Sequence, residues 1–213
     1  MIPNRPFRPA PRSARDKLLE AGVKLVRRQG FAGTSVDQLC GEAGVTKGAF
    51  FHHFTSKEAL GVALADYWST STGAFFAEAP YHHLADPVQR VLGYIDLRIA
   101  LIGGPVESFS CVAGAMVQES FLTSEPIRAA CATSIFSNAL ALEADLAAAL
   151  AQSGRKDVTA ASLGRHIQAV LQGAFILAKA RGDELAAETA RDQLRHLRRY
   201  LELLFSEGMP HAA

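Results

Sequence analysis

Apolar residues recur at spacings of three and four along almost the whole chain, the period of a helix with one buried face. Runs in which Val, Ile and Thr alternate with polar residues are missing, so no strand is expected. Between the periodic stretches stand helix-starting and helix-stopping residues. Ser13, with Asp16 three positions on, opens a helix whose apolar face is Leu18, Ala21, Leu25 and Val26, and Gly30 closes it. Ser35, with Gln38 as its reciprocal cap, opens a second helix facing inward through Val36, Leu39 and Ala43, and Gly44 supplies a tight turn. Thr46 caps a third, short helix over 47–54, where Val45 and Phe50 have the spacing of a hydrophobic staple and Phe50 and Phe54 face the core. Ser56 opens a fourth helix to about Glu78, with Leu60, Leu64, Tyr67 and Trp68.

The rest of the chain predicts longer helices: from Asp86-Pro87 to Gly103-Gly104-Pro105, from Ser108 to Leu122, and from Glu125-Pro126 to Gln152. Two more follow, from Thr159 to Arg181-Gly182, and from an Asp183 cap to Ser206, with Tyr81-His82-His83 and SGRKDVT as loops and HAA as a frayed tail. The expectation is an all-α chain of about nine helices. Residues 1–12 form a basic arm, 13–60 a three-helix helix-turn-helix of homeodomain type, and 61–213 a helical body.

Charge sharpens this division. The net charge of the 213 residues is +1, but 1–60 carry ten Lys and Arg against five Asp and Glu, and 61–213 carry twelve against sixteen. A basic front on a mildly acidic body points to a polyanionic partner for the front. The arm, MIPNRPFRPAPR, has four prolines and three arginines and lacks the apolar stretch of a signal peptide, and no run of 18 apolar residues is present, so a cytoplasmic protein is expected. Cys40, Cys111 and Cys131 have no CxxC spacing, which fits free thiols better than a disulfide framework or a zinc site. HExxH, GxSxG and a phosphate loop are all missing. The expectation is therefore a chain that is not an enzyme and takes no cofactor or metal.

The stretch GFAGTSVDQLCGEAGVTKGAFFHHFTSKEAL, residues 30–60, resembles the DNA-binding domain of TetR-family transcriptional repressors, over roughly 13–65. The likeness rests on the capped second helix, the Ala-Gly-Val turn, Lys-Gly entering the third helix, the aromatic-x-His-Phe run and Ser-Lys-Glu opening the fourth. LQGAFILAKARGD, 171–183, is similar to the family's dimerisation helix. The resemblance implies a homodimer that sets the third helix of each subunit in a major groove of a palindromic operator. It further implies a small-molecule effector in the body that releases the DNA. It assigns DNA contacts to Thr34, Ser35, Thr46, Lys47, Gly48, Ala49, Phe51, His52, His53 and Lys57. The family usually has tyrosine at the place of Phe51, which cannot hydrogen-bond a phosphate.

His52 and His53 are read as imidazole donors to phosphates, with His53 alternatively packed on the first helix. Adjacent helical residues diverge by about 100° and do not share a metal comfortably. Gly48 and Ala49 let backbone approach the groove, and the Ala49 methyl suits a thymine methyl. In the body, Tyr94, Arg98, Phe109, Cys111, Met116, Glu119 and Phe136 are candidate effector contacts, with Arg98 and Glu119 either pairing with each other or orienting a ligand. Ile167, Leu171, Gly173, Ala174 and Ala178, with Leu197 and Leu201, are the candidate dimer face. Two alternatives remain: an architectural DNA binder without effector, and a regulator sensing oxidants or electrophiles through cysteine.

Overall fold

The computed structural model describes residues 13–206. Among these, all regular structure is helical: α1 (Ala14–Gln29), α2 (Val36–Ala43), α3 (Lys47–His53), α4 (Lys57–Ala77), α5 (Pro87–Leu101), α6 (Val112–Ser120), α7 (Glu125–Leu140), α8 (Glu143–Gln152), α9 (Ala160–Arg181) and α10 (Ala186–Phe205). Short 3-10 turns lie at Pro80–His83 and Val106–Ser108. The basic arm and the HAA tail expected from the sequence lie outside the described residues.

The caps form as the pattern requires. The Ser13 hydroxyl accepts from the Asp16 amide at 3.1 Å and Asp16 returns the bond to the Ser13 amide at 3.2 Å. Ser35 and Gln38 do the same at 3.2 and 2.9 Å. Thr46 accepts from the Ala49 amide at 3.1 Å, and Gly44 ends α2 at φ +64, a left-handed value that favours glycine. Three segments differ from expectation. The helix expected from Ser108 begins only at Val112, capped by Cys111, behind the turn at Val106–Ser108. The stretch 125–152 breaks at Ala141–Leu142 into α7 and α8, which adds one helix to the expected nine. Asp183 does not cap α10 directly. Its carboxylate accepts from the Leu185 amide at 3.0 Å and pairs with Arg181, shaping the turn before the helix.

The chain divides into two compact units, 13–76 with 110–135, and 77–109 with 136–206. This is not the division at 60/61 expected from the sequence. The reason is burial. Leu18, Leu19, Leu25, Val26, Leu39, Phe50, Phe54, Leu60 and Leu64 share one core with Val112, Ala113 and Met116 of α6 and with Ile127 and Cys131 of α7. α3 has seven residues and cannot hold a helix by itself. It is held because Phe50 is fully buried in that core.

In the second unit, α10 packs along α9 and α5, and α8 packs on α5 and α9. Gly164 of α9 lies close to α7, where a Cβ would stand 3.0 Å from the Ala139 carbonyl oxygen. Arg90 pairs with Asp145 at 2.6 Å and also donates to the carbonyls of Leu84 and Ala85. The leucine seam is consumed here: Ile167, Leu171, Ala174 and Ala178 of α9, and Leu197 and Leu201 of α10, are all buried within one chain. Helical spacing had nominated them for a second copy, but the two helices satisfy each other first.

If α7 belongs to the core of the first unit, Ile127→Ala destabilises that unit by about 2–5 kcal/mol, the usual cost of emptying a buried aliphatic site. Urea unfolding followed by the fluorescence of Trp68, which lies on α4 of the same unit, reads the change.

Candidate nucleic-acid interface

The first unit presents the short helix α3 and the start of α2 on its surface. Thr46, Lys47, Gly48, Phe51 and His52 are exposed, Ala49 and His53 half-exposed. Phe51 is 56% exposed, an apolar ring turned outward and supported edge-on by Phe50 with centroids 5.1 Å apart. His52 and His53 have centroids 4.9 Å apart with rings steeply inclined. Among the described residues no three metal-ligating side chains come together.

Charge on this face is moderated from within. Lys47 pairs with Asp37 of α2 at 2.7 Å, and that hydrogen bond raises the ammonium above its ordinary value. Both side chains are solvent-exposed, so the pair is a weak tether. Ser35 is exposed, and its hydroxyl and amide are both engaged in capping α2. Thr34 departs from its expected role. It is 1% exposed and its hydroxyl donates inward to the Gly30 carbonyl at 2.6 Å. Its side chain builds the turn between α1 and α2 and is not offered to a groove.

Lys57 also looks inward. Its ammonium donates to the Ala32 carbonyl at 3.2 Å and lies 4.7 Å from the Phe31 ring centroid. Burial lowers its pKa and the carboxylate of Glu119 partly offsets this. Glu119 itself, expected among effector contacts, accepts from the Ala32 amide at 2.6 Å. The contact joins positions far apart in sequence, so no local pattern signals it. Ser124, between α6 and α7, donates to Glu58 of α4 at 2.6 Å.

The other candidate effector residues separate. Met116 is fully buried in the core of the first unit, and Cys111 caps α6, its sulfur accepting from the Gly114 amide at 3.4 Å. Cys131 is buried, and burial, with Cys111 nearby, pushes its thiol up to about 12. That keeps it protonated and poorly nucleophilic at neutral pH. In the second unit Phe136 is 57% exposed on α7. Tyr94, Arg98 and Phe109 do lie inside that unit. Arg98 donates to the Tyr94 hydroxyl at 2.9 Å and to the Asn138 amide oxygen at 3.4 Å, and Phe109 meets Phe175 at 6.2 Å. Arg98 and Glu119 therefore do not pair with each other. Each has its own partner, in a different unit. Tyr81 meets Tyr94 edge-on at 5.8 Å, and burial holds its phenol at about 12. Sequence reasoning missed Gln168, buried on α9 with its Nε2 lacking a hydrogen-bond partner.

A capped helix-turn-helix whose second helix presents small, cationic and aromatic residues defines a DNA-binding regulator. Residues 18–64 match the family described as bacterial regulatory proteins, tetR family, and residues 87–193 match the LmrA/YxaF-like C-terminal domain of transcriptional regulators. The chain belongs to the TetR family of transcriptional regulators, whose members bind DNA and function as dimers, and it is not an enzyme. It is 25% identical over 172 residues to an uncharacterized HTH-type transcriptional regulator, YxaF, of Bacillus subtilis, covering 80% of this chain and 87% of that protein. It is 44% identical over 52 residues to the HTH-type transcriptional repressor NemR of Escherichia coli, or 24% of this chain and 26% of NemR. A TetR-family regulator from Agrobacterium tumefaciens superimposes with TM-score 0.76 at 25% identity, over 90% of this chain and 98% of that one.

Asp37 places a carboxylate beside the one lysine of α3 on the exposed face. Asp37→Asn removes that charge, and tighter binding to DNA of any sequence is expected at low salt, the gain fading as salt rises. Fluorescence anisotropy with scrambled and operator duplexes checks this.

Proposed function

We propose that the chain is a cytoplasmic transcriptional repressor. It reads a palindromic operator as a homodimer and leaves it when a small molecule enters the second unit. The observation that carries the reading is the exposed α3 face, where Thr46, Lys47, Gly48, Phe51 and His52 stand clear on a helix held by Phe50. Lys47 and the imidazole of His52 supply donors for phosphates, which position the protein. Gly48 and the small Ala49 admit close approach to base edges, which carry sequence information. Phe51 offers a ring for sugar or a thymine methyl in place of a phenol hydrogen bond. Ser35, His53 and Lys57 flank this face. Lys57 would have to leave the Ala32 carbonyl to reach a phosphate.

A dimer face distinct from the leucine seam supports the homodimer. Ile176 and Leu177 of α9 and Tyr200 and Leu203 of α10 are each more than 40% exposed, apolar surface on two helices that pack together. Gly173 stands three and four positions before Ile176 and Leu177 on α9, and a Cβ there would meet nothing within 4 Å. His166 stacks edge-on with Tyr200 at 5.5 Å. Two copies joined here would present paired α3 helices to half-sites about 34–36 Å apart or multiples of that.

Effector binding rests on the polar groups inside the second unit. Arg98, Tyr94 and Asn138 form a hydrogen-bonded trio. The buried Gln168 Nε2 is an unmet donor, which costs about 1–3 kcal/mol until an acceptor reaches it. The cysteine-sensing alternative draws no support from Cys131, whose thiol burial keeps protonated.

Duplexes enriched by in vitro selection test the function. Binding to the enriched sequence should be tighter than to a scrambled one, with a steep inverse dependence on salt. Equal binding to both would make the chain an architectural binder. Leu203→Glu should convert dimers to monomers in sedimentation and abolish tight operator binding, while leaving weak non-specific binding.

A further inference from the structure

We infer that Glu119 of α6 is a positioning residue for DNA recognition: its carboxylate clamps the turn between α1 and α2 and so sets operator affinity from outside the contact face. The inference rests on the DNA-binding reading of the first unit. Glu119 is exposed, and α6 is docked by its apolar residues Val112, Ala113 and Met116, so the carboxylate is not needed to hold the helix in the core. What it holds is one peptide. Glu119 accepts the Ala32 amide at 2.6 Å, and the Ala32 carbonyl accepts from Lys57 of α4 at 3.2 Å. The residue is thus gripped on both sides by opposite charges, and charge-assisted bonds to backbone are the strong kind.

The turn is shaped around this grip. Gly30 has φ +83, and a side chain there would collide with the Glu119 carboxylate. Phe31 is buried and carries the Lys57 ammonium over its ring. Thr34 closes the turn by donating to the Gly30 carbonyl at 2.6 Å. Directly after it comes Ser35, which caps α2. α2 in turn carries Asp37, the partner of Lys47, and is followed by the Gly44 turn that aims α3. A displaced Ala32 shifts Ser35 and the first turn of α2 without touching the core. Glu119 also keeps Lys57 inside the turn, so its loss alters a cation beside the proposed interface.

The test compares wild type, Glu119→Ala and Glu119→Gln with an in vitro selected duplex and a scrambled one. The glutamine oxygen still accepts the Ala32 amide. Glu119→Ala should raise the operator Kd about tenfold, the worth of one charge-assisted hydrogen bond, with scrambled DNA bound as before or more tightly. Glu119→Gln should stay within about threefold of wild type. Active fractions titrated against DNA keep a folding defect from passing as an affinity loss. In the DNA-free protein, amide exchange at Ala32 should speed up in Glu119→Ala and remain slow in Glu119→Gln. An operator Kd for Glu119→Ala within about twofold of wild type overturns the inference. So does unchanged exchange at Ala32, or a glutamine variant as weak as the alanine one. A wild-type chain that binds no selected DNA sinks the DNA reading itself, and exchange at Ala32 then separates that failure from a failure of the clamp.

Discussion

The DNA-facing unit depends on one burial event, the insertion of Val112, Ala113, Met116, Ile127 and Cys131 into the core built by Leu18, Leu25, Leu39, Phe50 and Leu60. Three helices of 16, 8 and 7 residues expose too much edge for the apolar area they enclose, and small domains are marginal for that reason. α6 and the first part of α7 supply the missing wall. With the wall in place, Phe50 and Phe54 are sealed and the opposite side of α3 is left free, as small and polar residues demand. The helix is divided by this asymmetry: its apolar side is used for stability, and its outward side stays exposed.

The same packing brings two polar contacts that apolar burial alone does not explain. Glu119 meets the Ala32 amide, and Ser124 meets Glu58. Both tie α6 and α7 to the ends of head elements, one at the turn before α2 and one at the start of α4. Residues distant in sequence from the reading helix therefore share its mechanical frame. In the other unit the parallel theme is consumption of apolar surface. α9 and α10 bury their leucine stripes on each other and on α5, and the remainder, Ile176, Leu177, Tyr200 and Leu203, stays exposed.

Much of the head was legible from sequence because its determinants are local. Ser13 with Asp16, Ser35 with Gln38, Thr46 before Ala49 and Gly44 at a left-handed turn act within four residues, and the structure forms each of them. The TetR-like run from Gly30 to Leu60 was legible for the same reason, as a string of local instructions in order. The candidate sites were less so. Thr34 has a residue type that suits DNA, yet its hydroxyl is spent on Gly30. Met116 and Glu119 have the spacing of residues facing a body cavity, yet they serve the head. Helical period reports which residues share a face, not which neighbour that face will meet.

The sequence by itself determined the all-helical class, the capped ends of α1 to α3, the basic front and the family, because caps, turns and periodicity are settled over a few residues. Tertiary structure decided the partners of each face. It gave α6 and the first part of α7 to the first unit, turned Lys57 and Glu119 onto the Ala32 peptide, and hid the leucine seam inside one chain. The physical reason is that burial is non-directional and is shared among all apolar surfaces that can reach one another. Its allocation is fixed only when the helices compete for the same core.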